Sequence, residues 1–380
     1  MSLMLILCND TNHRHAPLLE LGEMMVVMTS QNHIELSVFV DESFYLVQRY
    51  VIFVIKTINL IEICRCWVVI CDNCGKWPVK GQWEMSTDYW RVNKILYLCY
   101  MTLHELISEI KSVLVPMYGE RESQWMVRDI FEEVKGYSAV DLVVRRDEVM
   151  SDFIVSRVRD MLARLAKNEP IQHILGYAHF CGNRFEVNEA TLIPRPETQE
   201  LVDRIADENV QSDLRVLDVG TGSGCIAVSL ARALRFAHVD AIDISQDALA
   251  VARRNAERLK AKVNFECRDA LSLVDDGTRY DIIVSNPPYI IEQEKADMAA
   301  NVLDYEPWTA LFVPDDDPLR FYVAIARYAR ETLNADGRLY LEINPLFARA
   351  MVDMLHDYGF ANVEVVKDMM TRDRFVIATR

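Results

Sequence analysis

Apolar residues between positions 101 and 170 recur three or four places apart, the spacing of one face of an α-helix. Thr102 precedes this pattern and Glu105 follows three residues later, which is the signature of a capping box at a helix start. Further helices are predicted over 120–134, 139–144 and 151–168. The pattern therefore predicts an N-terminal helical bundle over 101–170.

After Pro170 the pattern changes to short apolar runs. The first two runs, 178–181 and 184–187, flank Gly182-Asn183, which predicts a β-hairpin with a two-residue turn. Later β-branched runs predict strands over 214–219, 238–242, 263–266, 280–285, 338–343 and 363–367. Helical stretches fill most of the intervals between them, and that alternation is typical of a mostly parallel, doubly wound α/β sheet.

Residues 1–100 contain apolar runs without clear periodicity. We expect an unassigned extension here, either poorly ordered or an upstream translation artefact with the natural start at Met101. The most apolar stretch, 44–71, is interrupted by Arg49, Lys56, Glu62 and Arg65. A membrane-spanning helix needs about 20 predominantly apolar residues, so no span is predicted.

The length of 380 residues suggests two or three domains, at about 100–200 residues each. The patterns place their boundaries at 1–100, 101–170, 171–193 and 194–380, with a hairpin linker as the third segment. An apolar share of 51% and a charged share of 26% exclude a disordered or collagen-like chain.

The net charge is −16, and residues 1–100 contain eight Lys/Arg and ten Asp/Glu, so the other 280 residues carry −14. Non-specific DNA affinity comes mainly from Lys and Arg, so we expect no stable nucleic-acid binding. The nine cysteines lack the density of a disulfide scaffold and predict reduced thiols in a cytoplasmic protein. Cys64, Cys66, Cys71 and Cys74 have an alternative interpretation as a zinc site, but their pairs are closely spaced, and we expect no metal.

A glycine-rich loop, Gly220-Thr221-Gly222-Ser223-Gly224, separates a predicted strand from a predicted helix at 225–233. Glycines let the backbone approach a ligand, and the helix N-terminus directs N–H groups toward it. Asp243 ends the next strand about 20 residues on, where a carboxylate can accept both hydroxyls of a ribose. Asp269-Ala270 follows one strand later, where the carboxylate could bind an adenine amine. This order favours an adenosine-containing ligand, either a dinucleotide or S-adenosylmethionine.

The fourth strand of this series runs directly into Asn286-Pro287-Pro288-Tyr289. Two prolines fix φ near −65° and lack N–H groups, so backbone carbonyls are presented at a strand end where α/β sheets bind ligands. The Asn286 side-chain oxygen and the Pro287 carbonyl can each accept one N–H of a planar NH2 group, with Tyr289 stacked on it. These hydrogen bonds would direct the nitrogen lone pair at a sulfonium methyl group, with positioning as the main catalytic contribution.

The sequence resembles the HemK/PrmC family, the protein-(glutamine-N5) methyltransferases that act on peptide chain release factors. The resemblance covers about 101–380 and is carried by Glu169–Gly176, Thr191–Thr198, Asp218–Gly224, Asn286–Tyr289 and Tyr305-Glu306-Pro307. One departure follows Leu341-Glu342, where the family often shows Gly and Gln and this chain has Asn344-Pro345 after Ile343.

The resemblance implies a Rossmann-like S-adenosylmethionine-dependent methyltransferase with a mostly parallel seven-stranded sheet, preceded by a helical substrate-docking domain and a β-hairpin. It implies class 1 release factors as partners, with the glutamine of their Gly-Gly-Gln motif as the methyl acceptor. By position, the implied cofactor contacts are Gly220–Gly224, Asp243, Ala270 and Asn286, and Asn286–Tyr289 would bind the glutamine. The Pro194–Thr198 segment is expected to close the pocket. A monomer without membrane association is expected.

Three other functions are compatible with these motifs. A DNA or RNA adenine-N6 methyltransferase uses the same Asn-Pro-Pro-Tyr geometry on a flipped base, but should carry a basic cleft. A methylase of ribosomal protein glutamine differs only in substrate. A non-catalytic scaffold with this fold ranks low, because the glycines, Asp243 and Asn286 are all present.

Overall fold

The computed structural model describes residues 101–380 and, before them, four short strands: β1 (Leu3–Leu5), β2 (Val27–Met28), β3 (Ile34–Glu35) and β4 (Cys66–Val68). β1 pairs with β4 in parallel, and β2 pairs with β3 antiparallel. The zinc hypothesis falls largely on Cys64, Cys71 and Cys74, which lie outside the described residues, as does most of the predicted extension. The chain divides into two compact units, one with described residues 101–109 and 140–155, the other comprising 110–139 and 156–380.

The helical region contains α1 (Leu103–Lys135), α2 (Ala139–Val144), α3 (Asp152–Leu165) and α4 (Ile171–Leu175). The predicted capping box is confirmed, because Glu105 N donates to Thr102 Oγ1 at 3.3 Å and Thr102 N donates to Glu105 Oε2 at 2.8 Å. Gly119, with φ 77° and ψ 167°, interrupts α1. This break agrees with the separate helix predicted over 120–134.

The predicted hairpin forms from β5 (Tyr177–Phe180) and β6 (Asn183–Glu186), which pair antiparallel. Its turn was predicted one residue too late. Phe180 pairs with Asn183, so the two turn residues are Cys181 and Gly182, with φ of 44° and 69°. Positive φ at both positions is typical of a type I′ turn, which matches strand twist, and here a cysteine adopts one of them.

A seven-stranded sheet forms the centre of the second unit. Its strands are β7 (Arg215–Val219), β8 (His238–Asp243), β9 (Val263–Cys267), β10 (Tyr280–Ser285), β13 (Leu333–Glu342), β14 (Asn362–Lys367) and β15 (Asp373–Thr379), in the order β14-β15-β13-β10-β7-β8-β9. β15 runs antiparallel to both neighbours, and the remaining pairs are parallel. The predicted Rossmann-like sheet is confirmed, and β15 is the strand that the run-by-run pattern did not locate.

Helices cover both faces of this sheet: α5 (Pro196–Glu208), α6 (Cys225–Ala233), α7 (Gln246–Leu259), α10 (Arg320–Thr332) and α11 (Ala348–Asp357). The short helices α8 (Ala300–Leu303) and α9 (Trp308–Leu311) and the strand pair β11 (Ile290–Ile291) and β12 (Phe312–Val313) belong to the connection after β10. Ile283 joins one apolar cluster, while its neighbours Ile282 and Val284 join the other. These three residues lie in β10, so both faces of β10 are buried, which explains its unbroken apolar run. Within residues 101–380, no helix is long and apolar enough to cross a membrane.

Candidate active site

The glycine loop follows the carboxyl end of β7. Gly220 and Gly222 have φ of 76° and 55°, and a Cβ built on either would meet no atom within 4 Å. The loop backbone therefore faces open space in a conformation that favours glycine. Gly224 differs, because a Cβ there would lie 3.0 Å from Ala252 Cβ on α7. Its small size serves close packing of the following helix rather than the open side of the loop.

Asp218, which the sequence did not single out as a site residue, anchors the loop from below. Its Oδ2 accepts from Thr221 Oγ1 at 2.6 Å and from Ala227 N at 3.1 Å. Complete burial raises the pKa of Asp218 to about 7. Ser223 is also buried. Thr221 and Ser223 thus lie on the protein side of the loop, and the two flanking glycine backbones provide its accessible surface.

Asp243 ends β8 beside this loop. Its Oδ2 accepts from Gly222 N and its Oδ1 accepts from Ser245 N, both at 2.8 Å. Burial raises the pKa of Asp243, and backbone N–H groups limit that rise. The structure thus joins two predicted site residues, Gly222 and Asp243, by a direct hydrogen bond. Each carboxylate oxygen retains a lone pair with which it could accept from a ribose hydroxyl.

Asp269 and Ala270 follow β9. Asp269 Oδ1 accepts from Leu271 N at 2.9 Å and caps a short 3-10 helix, Ala270–Ser272, while Ala270 packs against the core. Asp269 therefore has a structural role at its Oδ1, and its predicted adenine contact stays a prediction. Ile244, directly after Asp243, is 62% exposed. An apolar surface at this position suits a nucleobase, although the sequence motifs do not include Ile244.

These features fit an adenosine-containing group. The accessible glycine backbone, the half-buried carboxylate of Asp243 and the exposed Ile244 lie at the ends of the neighbouring strands β7 and β8. They offer a backbone surface that a ligand can approach closely, acceptors for ribose hydroxyls and an apolar face, which together match the parts of S-adenosylmethionine. Within residues 101–380, no cluster of three His, Cys, Asp or Glu could bind a metal ion.

Asn286-Pro287-Pro288-Tyr289 occupies the end of β10, beside β7. Ser285, the last residue of β10, donates from Oγ to Val219 O at 2.7 Å and fixes the two strand ends together. Pro287 is buried, and the other three residues are partly buried. The predicted corner therefore starts from the strand that adjoins the glycine loop, as the sequence indicated.

A buried hydrogen-bond network lies behind this corner. Asn286 Nδ2 donates to Thr198 Oγ1 at 3.2 Å, and Thr198 Oγ1 donates to Glu342 Oε2 at 2.7 Å. Tyr289 Oη donates to the other oxygen, Glu342 Oε1, at 3.2 Å. Glu342 is fully buried at the end of β13, and burial raises its pKa to about 7. Burial also raises the pKa of Tyr289, which therefore stays a neutral hydrogen-bond donor.

The Pro194–Thr198 segment, which contributes Thr198 to the network, is also held by a second buried carboxylate, Glu306. Ile193 N donates to Glu306 Oε2 at 3.0 Å, and Arg195 pairs with Glu306 Oε1 at 2.6 Å. Glu306 is 3% exposed. These contacts fix the start of α5, and α5 in turn places Thr198 beside Asn286. The segment therefore supports the acceptor corner, a role that the sequence analysis had not specified.

Asn344 lies where the chain departs from the family pattern after Leu341-Glu342. Its Nδ2 donates to Tyr289 O at 3.2 Å and to Glu294 Oε2 at 2.8 Å, while Glu294 Oε2 also accepts from Ile291 N at 3.1 Å. Asn344 is 3% exposed. The departure from the family pattern thus supplies a side chain that ties the chain after Tyr289 to the end of β13.

The chain matches two family models. The model described as Methyltransferase small domain matches residues 196–305, and the model described as PrmC N-terminal domain matches residues 105–176. These ranges correspond to the catalytic and helical regions.

Curated relatives give the same result. A protein of Bacteroides thetaiotaomicron named release factor glutamine methyltransferase is 47% identical over 279 residues, covering 73% of this chain and 100% of the relative. Proteins of the same name from Flavobacterium psychrophilum and Enterococcus faecalis are both 40% identical, over 280 and 255 residues, covering 73% and 67% of this chain and 98% and 91% of the relatives. The predicted family and its cofactor, S-adenosylmethionine, are confirmed. The chain belongs to the HemK/PrmC family of release factor glutamine methyltransferases.

Proposed function

We propose that this enzyme transfers a methyl group from S-adenosylmethionine to the side-chain amide nitrogen, N5, of the glutamine in the Gly-Gly-Gln motif of class 1 release factors, and so modulates translation termination. The observation that carries the proposal is the acceptor corner Asn286–Tyr289, which starts from a strand adjoining the glycine loop. The names of the relatives support the substrate class.

The chain's own residues account for binding of the acceptor. S-adenosylmethionine, when bound, supplies an electrophilic methyl carbon. Asn286 Oδ1 and the Pro287 carbonyl accept the two N–H groups of the glutamine amide and orient its nitrogen lone pair. Tyr289 packs against the planar group. The same two oxygens stabilise positive charge that develops on nitrogen, so orientation and electrostatics come from one pair of atoms.

The cofactor contacts proposed here are Gly220–Gly224, Asp243, Asp269, Ala270 and Asn286. Gly222 and Asp243 have the strongest support, because one hydrogen bond joins the accessible loop to the carboxylate. Gly224 contributes through packing against Ala252. Asp269 retains its Oδ2 for an adenine contact, since the N-cap bond uses Oδ1.

The domain roles follow from the same proposal. Residues 101–170 dock the release factor, 171–193 form the linker, and 194–380 carry catalysis; the two family-model matches support this division. The enzyme acts as a monomer in the cytoplasm, where its substrate works in translation. Its acidic balance of −14 outside residues 1–100 argues against a nucleic-acid substrate.

The test incubates the purified protein with methyl-labelled S-adenosylmethionine, a class 1 release factor and the same factor with its Gly-Gly-Gln glutamine changed to alanine. We expect label on the unmodified factor alone. Parallel reactions contain DNA, RNA and a ribosomal protein fraction. Label on nucleic acid, or equal label on the alanine variant, would contradict the proposal.

A further inference from the structure

The direction of the Asn286 carboxamide follows from counting protons in the network behind it. An ionised carboxylate can only accept hydrogen bonds, so Glu342 accepts from both of its neighbours, Thr198 and Tyr289. Thr198 has one hydroxyl proton, and its 2.7 Å bond to Glu342 Oε2 uses it. Toward Asn286, 3.2 Å away, Thr198 can therefore only accept. Asn286 must direct its NH2 group at Thr198.

This leaves the carboxamide oxygen of Asn286 on the opposite side. A glutamine amide offers N–H donors, so the corner can bind it only through an acceptor. If Asn286 turned by 180°, its NH2 group would face the substrate NH2 group, and two donors would meet. We propose that Glu342 and Thr198 are positioning residues that fix the direction of the Asn286 carboxamide, so that its oxygen faces the acceptor amide. The inference rests on the proposed function and deepens it.

Burial and the surrounding hydrogen bonds hold Thr198 and Glu342 in one arrangement. Thr198 is 2% exposed and Glu342 is 0% exposed, so water cannot replace either partner. Tyr322 Oη donates to the backbone oxygen of Glu342 at 2.9 Å and fixes the end of β13. Arg374 pairs with Asp368 at 3.3 Å rather than with Glu342. The two hydroxyls of Thr198 and Tyr289 are therefore the only side-chain hydrogen-bond partners of the Glu342 carboxylate among the described residues.

A pH dependence follows. Burial is the main cause that raises the pKa of Glu342 to about 7, with Glu197 raising it and Arg374, Thr198 and Tyr289 opposing the rise. Above this pH the carboxylate only accepts and the network has one direction. Below it, a proton on Oε2 can donate to Thr198, which then donates to Asn286 and turns its NH2 group outward. Turnover is therefore expected to fall as the pH falls through about 7.

The first experiment observes the side-chain amide of Asn286 by NMR spectroscopy in the absence of substrate. In protein labelled with nitrogen-15, the side-chain NH2 signal of Asn286 should show slow hydrogen exchange above pH 7 and should shift as Glu342 titrates. Thr198→Val should abolish the slow exchange, Thr198→Ser should retain it, and Glu342→Gln should abolish the pH-dependent shift. An Asn286 signal that is the same in the wild type and Thr198→Val would overturn the inference. This result is independent of whether a release factor is the substrate.

The second experiment separates kcat from KM. Thr198→Val should lower kcat by ~10–100-fold, as expected for loss of an orienting partner, with KM for the release factor and Kd for S-adenosylmethionine within about twofold. Thr198→Ser should restore most of the rate. Thr332→Val is the matched control, because Thr332 is a fully buried threonine whose hydroxyl donates to Tyr328 O at 2.7 Å, away from Asn286. It should leave kcat unchanged.

The pH profile distinguishes Glu342 from Asp218, whose pKa burial also raises to about 7. Glu342→Gln should lower kcat and remove its dependence on pH between about 6 and 8, since the amide does not titrate. A profile that persists in Glu342→Gln, or an unchanged kcat in Thr198→Val, would contradict the inference. If the wild-type enzyme labels no release factor, the proposed function fails instead, and the amide signal still decides the direction of Asn286.

Discussion

The cofactor side of the site (Gly220–Gly224 and Asp243) and the acceptor side (Asn286–Tyr289) begin at the ends of neighbouring strands, but different contacts fix them. The cofactor side is stabilised by local contacts: Thr221 binds Asp218 three residues away, and Gly222 binds Asp243 across 21 residues. On the acceptor side, Asn286 binds Thr198 across 88 residues. Thr198 in turn binds Glu342 across 144 residues.

This difference separates two consequences of mutation. On the cofactor side, the backbone forms the surface, and the carboxylates of Asp218 and Asp243 contact the loop, so substitutions should act on cofactor affinity. On the acceptor side, several buried side chains determine the direction of a single carboxamide. Substitutions of the side chains behind Asn286 should act on rate at constant affinity, because orientation rather than contact area is lost.

The largest effect is expected from Asn286→Ala, which breaks the acceptor side at its centre. The variant lacks the oxygen that accepts a glutamine N–H, and kcat should fall by about 10²–10³-fold, as for loss of one preorganised hydrogen-bonding group at a reacting centre. Single-turnover methylation measures the rate, and calorimetry measures S-adenosylmethionine binding. A rate within threefold of the wild type would show that Asn286 does not bind the acceptor amide.

The comparison also explains which parts of the molecule were predictable. The sequence could place Gly220, Gly222 and Asp243 together because their positions depend on local backbone form and on strand ends, which the apolar pattern locates. The position of Asn286 and the prolines at a strand end was predictable for the same reason, while the roles of all these residues stay predictions. The hairpin turn was misplaced by one residue, because the positive φ of Cys181 is unusual for a side-chain-bearing residue.

The network around Glu342 could not be predicted, because its contacts cross 53 to 144 residues and depend on how α5 packs beside β13. A signal was nevertheless present. Glu342 stands between Leu341 and Ile343 at the end of an apolar strand, and an acidic residue in such a run is unusual unless it has buried partners. The seventh strand was missed because Phe375–Ala378 forms an unbroken apolar run without a following helix to mark it.

Asp243→Ala, on the cofactor side, should have a smaller effect than Asn286→Ala. That effect should be on the affinity for the cofactor rather than on the rate. Loss of a carboxylate that accepts from Gly222 N and Ser245 N should raise the Kd for S-adenosylmethionine by about 10–100-fold, from about 1.5–3 kcal/mol for hydrogen bonds to a charged group. At saturating cofactor, kcat should stay within about threefold. Asp243→Asn keeps one acceptor oxygen, so its Kd for S-adenosylmethionine should lie between those of the wild type and Asp243→Ala. If Asp243→Ala lowered kcat and left the Kd for S-adenosylmethionine unchanged, the cofactor side and the acceptor side would not differ in the way proposed.

The smallest effect on turnover is expected from Asn344→Ala, which removes a support of the acceptor side without touching Asn286. The variant loses hydrogen bonds to Tyr289 O and to Glu294, so the segment after Tyr289 loosens and kcat should fall by about threefold, from the ~0.5–1.5 kcal/mol of a typical net hydrogen bond. Asn209→Ala is the matched control. Asn209 is also buried, and its Nδ2 donates to Ile205 O and Tyr340 Oη.

Both variants should lose about 1–3 kcal/mol of unfolding free energy, the range expected when a buried partner is left unsatisfied. Only Asn344→Ala should lower kcat, because only Asn344 contacts the backbone of the acceptor corner. Urea unfolding measures the first quantity and methylation of the release factor the second. If both variants lowered kcat equally, the loss would report general stability. The acceptor side would then owe its rate to the rigidity of the whole sheet rather than to the long-range contacts around Asn286.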